Sequence, residues 1–128
     1  MNQYRNLKVW QKAVALATEV YRASGSFPKE EMYGLTAQLR RSIVSIASNI
    51  AEGAGRSHNK EFAQFLSIAY GSAYEAETQL LIAKNLNYLT STEFDNLEKE
   101  LAEVQKMLYS LKLKLSRPTQ DSRLKTQD

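Results

Sequence analysis

The sequence predicts an all-α protein folded as an up-down-up-down antiparallel four-helix bundle. Three observations lead there. Of 128 residues only two are proline and five glycine, and the chain is rich in leucine, alanine, glutamate, lysine and glutamine, which enter helices at little cost. Apolar residues recur at spacings of three and four, the period of a helix with one buried face. The punctuating residues fall between four such segments, leaving only short connections, which favour antiparallel neighbours. A chain of this length forms one domain that hides roughly two thirds of its unfolded surface.

The first helix is expected from about residue 6 to 24, with Leu7, Trp10, Val14, Ala17 and Tyr21 as its stripe and Gly25 as its end. Phe27-Pro28 then opens the second helix, since proline is tolerated in a first turn and Glu30 and Glu31 suit the positive end of the helix dipole. Leu35, Leu39, Ile43, Ile46 and Ile50 form its buried stripe, and Gly53 and Gly55 are expected to close it near Glu52. Ser57 or Asn59 is the candidate cap of the third helix, whose stripe is Phe62, Leu66, Ala69, Ala73, Ala76, Leu80 and Ala83; so many alanines let a neighbouring helix come close. Thr90 to Glu93 has the form of a capping box and starts the fourth helix, which buries Leu97, Leu101, Val104, Leu108, Leu111 and Leu115 until Pro118 stops it. The domain is therefore read as residues 1–117, followed by a polar, flexible tail over 118–128.

Composition excludes several function classes. Cysteine is absent, so no disulfide framework or thiolate metal site can form, and an intracellular, cytoplasmic setting is the natural expectation. The N-terminus lacks the apolar stretch of a signal peptide, and no apolar run approaches the roughly 20 residues a bilayer requires. The segment GAGRSHNK superficially resembles a phosphate loop, but it lacks the G-x-x-x-x-G-K-[ST] order and follows a helix instead of a strand. No Ser/His/Asp or Cys/His arrangement is present, and His58, the single histidine, has no Glu-x-x-His partner for a bundle-core metal site. The reading is a non-enzyme with no cofactor, no metal and no small-molecule substrate.

The net charge of +3 is modest, but the topology sorts it. Antiparallel packing gathers Arg5, Lys8, Lys12, Arg56, Lys60, Lys112, Lys114 and Arg117 at one end against Glu52 and Glu61. Helix dipoles account for the lysines near the end of the fourth helix. They do not account for Arg5, Lys8, Lys12, Arg56 and Lys60, which lie near helix starts, where cations are mildly unfavourable. Such a pole suits a polyanion, above all RNA, through phosphate neutralisation and counterion release. Arg40 and Arg41 are the next candidate contacts, and Tyr4 and Trp10 could stack on bases, though Trp10 fits the core better. A polar line of Gln38, Ser42, Ser45, Asn49 and Glu52 beside the second helix's stripe is expected to face the third helix, placing Gln38 and Arg41 against a half-buried Glu75 and Ser72.

Taken in order, Leu7-x-x-Trp10-Gln11-Lys12-Ala13, Phe27-Pro28, Tyr33-Gly34-Leu35, Gln38-Leu39-Arg40-Arg41, Ser45, Asn49-Ile50-Ala51-Glu52-Gly53, Phe65-Leu66, Gly71-Ser72 and Glu75 closely resemble the family of 23S rRNA intervening-sequence proteins, over about residues 5 to 89. The resemblance implies a bundle that assembles into a ring-like homopentamer. It also implies kinship with accessory proteins of diversity-generating retroelements, which bind nucleic acid and a reverse transcriptase through a basic surface. It supplies no catalytic residues, and Arg40, Arg41, Asn49 and Glu52 could serve folding or assembly alone. Ala47 stands where the family often has proline, and Asn87 replaces a common glycine before Tyr88. The expected function is thus nucleic-acid binding by a homo-oligomer; the alternative is a protein-interaction scaffold, for example for a polymerase.

Overall fold

The computed structural model describes residues 3–117, so the expected tail over 118–128 lies outside the described residues. Among those residues there are four α-helices and no strands: α1 (Lys8–Ser24), α2 (Leu35–Ala54), α3 (Asn59–Asn85) and α4 (Ser91–Ser116). Each packs on its neighbours in order, and α1 closes the ring against α4. A short 3-10 turn, Tyr4–Asn6, precedes α1 and touches α2.

The stripes expected for the last three helices form the core, with Leu35, Phe62, Leu111 and Leu115 at their ends only partly buried. Leu39, Ile43, Ile46 and Ile50 of α2 meet Leu66, Ala69, Ala73, Ala76, Leu80 and Ala83 of α3 and Leu97, Leu101, Val104 and Leu108 of α4 in one core. Helix α1 departs from expectation. Its buried face is Val9, Ala13, Leu16 and Val20, while Val14 and Tyr21 are exposed and Leu7, Trp10 and Ala17 lie at the margin. Apolar residues occupy both sides of this helix, so the helical period alone admits two faces.

The connections also correct the sequence reading in detail. Pro28 does not open α2; it begins a 3-10 turn, Lys29–Glu31, and Gly34 (φ −111°, ψ −113°) leaves the helical basin before α2 starts at Leu35. The carboxylate of Glu31 bridges this break, accepting from the Leu35 N–H at 3.2 Å and from the Tyr88 hydroxyl at 2.9 Å. That contact ties the start of α2 to the end of α3. Gly53 does not end α2 but lies within it, buried, where a Cβ would stand 2.7 Å from Phe65 Cβ and 2.8 Å from Phe62 Cδ1. The missing side chain is what lets α2 and α3 approach here. Neither Ser57 nor Asn59 caps α3; His58 occupies that position, without a side-chain cap.

Two terminators behave as the sequence suggested. Asn87 takes φ 63° and ends α3 in a Schellman arrangement, with Tyr88 N–H to Ala83 O at 2.8 Å and Asn87 N–H to Lys84 O at 2.9 Å. Thr90 and Glu93 form the reciprocal capping box of α4.

Candidate nucleic-acid interface

The short 3-10 turn before α1, the Gly55–His58 turn between α2 and α3, and the last turns of α4 meet at one end of the bundle because adjacent helices run antiparallel. This topology puts the segments carrying Arg5 and Lys8 and those carrying Arg56 and Lys60 at the same end, and all four residues are exposed. Among the described residues, Arg5, Lys8 and Lys60 are in no ion pair. Arg56 is held: it donates to Glu52 at 2.8 Å and lies 4.8 Å from the Phe65 ring centroid. Because Gly53 brings Phe65 against α2, the backbone packing of the hairpin sets the position of this guanidinium.

Lys8 lies in a cleft between α1 and α4 of about 350 Å³, whose floor is Leu7, Val9, Met107 and Leu111 and whose rim includes Lys106 and Lys114. Lys106 escaped the sequence reading. It lies nearly three turns before the end of α4, so only the α1–α4 register reveals that it shares a cleft with Lys8. Lys12, one turn further along α1, donates to Glu103 at 2.8 Å. That hydrogen bond, reinforced by the opposite charge, raises the Lys12 pKa and lowers that of Glu103. Lys12 thus stays protonated and is already paired with a carboxylate.

Arg40 and Arg41 do not join the pole. Arg40 sits near the other end of α1, where it donates to Ser24 Oγ at 2.8 Å and to the Tyr21 carbonyl at 3.1 Å while covering the Tyr21 ring at 4.5 Å. A cation on the last carbonyls of a helix is a terminal cap, favoured by the helix dipole. Arg41 lines a polar groove between α2 and α3 together with Gln38, Ser42, Ser45, Glu75 and Gln79. Glu75 is exposed, not half-buried as expected, and is in no ion pair among the described residues. The contacts across this seam are Ser42 to Gln79 at 2.7 Å and Ser45 to Ser72 at 2.9 Å, with Asn49 donating to Ser45. The register therefore runs about one turn from the expected pairing of Gln38 with Glu75, because the hairpin pivots near His58 and not at Arg56. These small polar groups satisfy one another inside the seam, which is a folding role.

Of the two candidate stacking residues, Tyr4 packs edge-on against Trp10 with centroids 4.9 Å apart, and Trp10 leans on the core. No helix among the described residues is long and apolar enough to cross a membrane.

Comparison with known proteins adds three findings. The family model described as 23S rRNA-intervening sequence protein matches residues 5–110. A crystal structure from Bacteroides thetaiotaomicron, described as a protein with unknown function from the S23 ribosomal protein family, superposes with a TM-score of 0.76 over 82% of this chain and 95% of that one, at 24% identity. At that identity the likeness speaks to the fold. No curated protein matches the chain.

Proposed function

The chain belongs to the 23S rRNA-intervening sequence protein family, and from that premise we propose that it is a non-enzymatic, oligomeric bundle that binds RNA or structured nucleic acid through its basic end. The observation that supports this reading is the cleft lined by Lys8, Lys106 and Lys114, at the end of the bundle whose segments also carry Arg5 and Lys60; Arg5, Lys8 and Lys60 are exposed and in no ion pair among the described residues. Exposed ammonium and guanidinium groups outside ion pairs neutralise phosphates and release condensed counterions, giving affinity with little base preference. Lys12 and Arg56 contribute less, since a carboxylate already competes for each. The cytoplasm, where RNA is abundant, is the compartment this reading calls for.

Assembly into a homopentamer is part of the proposal. Two surfaces support an oligomer: a shallow apolar groove of about 440 Å³ formed by Val14, Ala17 and Tyr21 of α1 with Val44 and Ala47 of α2, and the exposed Ile68 and Ile82 of α3 with Leu86 just after it. Exposed apolar surface of this kind marks contact sites. Light scattering on the purified protein reads the stoichiometry.

The direct test is to purify the protein from cells in low salt, elute bound nucleic acid with a salt gradient and sequence it. Structured RNA released by moderate salt is the expected result; protein free of nucleic acid at every step overturns the reading. A second reading, a scaffold for a protein such as a reverse transcriptase, draws on the aliphatic floor of the Lys8 cleft. Capture of a polymerase that survives high salt, without any shift of labelled RNA, selects it.

A further inference from the structure

Three tyrosines from two helices meet in a groove of about 870 Å³ between α3 and α4, and none of the three belongs to the interface described above. The Tyr70 ring lies 5.0 Å from that of Tyr74, edge-on, and 6.1 Å from that of Tyr109, tilted by 36°. The hydroxyls of Tyr70 and Tyr74 are hydrogen-bonded at 3.1 Å, which fixes the pair. Tyr74 and Tyr109 nonetheless remain 48% and 52% exposed. Large aromatic faces are held in place here and left in water.

The charge around them is cationic. Lys99 and Lys106 line the groove, and Glu103, the acidic residue of its wall, is engaged by Lys12 from the α1 side. Gln105, also in the wall, is tied to Glu77 at 3.1 Å. Lys106 belongs to this groove and to the Lys8 cleft alike, so the two surfaces are continuous.

Rigid aromatic rings beside cations are the elements with which proteins hold unpaired bases: any base can stack, and the cations take the flanking phosphates. A duplex keeps its base faces inside its own stack, so only unstacked nucleotides can use such a surface. We propose that Tyr70, Tyr74 and Tyr109 form a stacking platform for unpaired nucleotides, with Lys99 and Lys106 holding the adjacent phosphates. The proposal rests on the nucleic-acid reading above and deepens it: the ligand is structured RNA with single-stranded loops or flanks, its helical part at the basic end and its unpaired part along the α3–α4 groove.

The test compares a short oligouridine with a blunt RNA duplex, using wild type, the double variant Tyr74→Leu/Tyr109→Leu and the double variant Tyr74→Phe/Tyr109→Phe. Leucine keeps apolar bulk but removes the ring; phenylalanine keeps the ring. Stacking changes affinity by roughly 5- to 150-fold per base. The leucine variant should therefore bind oligouridine at least about 10-fold more weakly and the duplex as wild type does, while the phenylalanine variant stays within about twofold of wild type for both. Equal effects of leucine on the two probes, or none on either, overturn the platform. If wild type binds duplex but not oligouridine, the platform falls and the basic-end reading stands; if it binds neither, both fall. A change of oligomeric mass in the leucine variant assigns the groove to a second copy and likewise overturns it. Should that variant fail to fold, photocrosslinking of wild type to RNA bearing 4-thiouridine decides: adducts on peptides containing Tyr74 or Tyr109 support the platform, and adducts confined to other peptides refute it.

Discussion

Replacing Gly53 and Gly71 separately by alanine makes a paired test of how the α2–α3 hairpin is held. Both glycines are helical, Gly71 in the middle of α3 and Gly53 in the last turn of α2, so the backbone term favours alanine at each, by about 1 kcal/mol at most. Their surroundings differ. A Cβ at Gly71 meets nothing within 4 Å, whereas at Gly53 it meets Phe65 Cβ at 2.7 Å, Phe62 Cδ1 at 2.8 Å and the Phe62 carbonyl at 3.3 Å. The first obstacle is the root of a side chain and the third is backbone, so rotamer changes cannot clear them and α3 itself must move. Overpacking of this kind costs about 1–3 kcal/mol, and the upper part of that range applies because the backbone must shift. Gly53→Ala is expected to lose about 1–2 kcal/mol net, and Gly71→Ala to gain about 0.5–1 kcal/mol. In urea unfolding followed by circular dichroism, the midpoint should fall by about 1 M for the first and rise for the second. Protomer concentration must be fixed, since assembly adds to apparent stability. A Gly53→Ala protein at least as stable as wild type refutes the close approach as the reason for that glycine.

Other residues give sharper signs than sizes. Arg40→Ala should cost about 1–2 kcal/mol by uncovering the Ser24 and Tyr21 acceptors at the end of α1, while RNA affinity in a mobility-shift assay stays as in wild type; a large loss of binding returns Arg40 to the interface. Glu103→Gln frees Lys12, so RNA binding should tighten and its salt dependence steepen by up to about one contact's worth, roughly 0.7–0.9 in slope; unchanged or weaker binding contradicts the view of Lys12 as a restrained cation. The Tyr88 pKa is raised, first by its hydrogen bond to Glu31 and then by burial. A raised folded-state value means that the stabilisation is complete below the ordinary tyrosine range near 10 and fades as pH climbs through the folded value. The gap in urea midpoint between wild type and Tyr88→Phe should therefore hold steady from neutral pH to about 10 and narrow above it, and a gap that widens with alkali tells against the clasp.

What could be read in the sequence depended on whether one face of a segment was unambiguous. The alanine stripe of α3 from Leu66 to Ala83 and the α4 stripe from Leu97 to Leu108 keep an unbroken three-and-four spacing and are buried as expected, although Ile68, Tyr74, Leu81 and Ile82 leave apolar surface on the outer side of α3. Helix α1 carries Val9, Ala13, Leu16 and Val20 on one side and Val14, Ala17 and Tyr21 on another, so only packing against α2 and α4 chooses between them, and Val14 and Tyr21 of the rejected face remain exposed. Asn87 and Thr90 were legible because their effects are local, a left-handed turn and a capping box. The break before Leu35 was not, because it depends on Glu31 finding both Leu35 and Tyr88. The same division runs through the interface. Antiparallel order alone puts the segments carrying Arg5, Lys8, Arg56 and Lys60 at one end. Which cations are spoken for is a matter of tertiary register, which pairs Lys12 with Glu103, sends Arg40 to cap α1 and brings Lys106 beside Lys8.

The most direct measurement of the central claim is the dependence of RNA affinity on salt for wild type and for the triple variant Arg5→Ala, Lys8→Ala, Lys60→Ala. All three positions are exposed, so the variant should fold as wild type does. Each phosphate contact removed flattens the slope of log affinity against log salt by roughly 0.7–0.9. A variant whose slope is shallower by about 2 and whose binding is weaker across RNA sequences is the predicted result. A slope and affinity equal to those of wild type place the polyanion contact elsewhere, or nowhere, on the molecule.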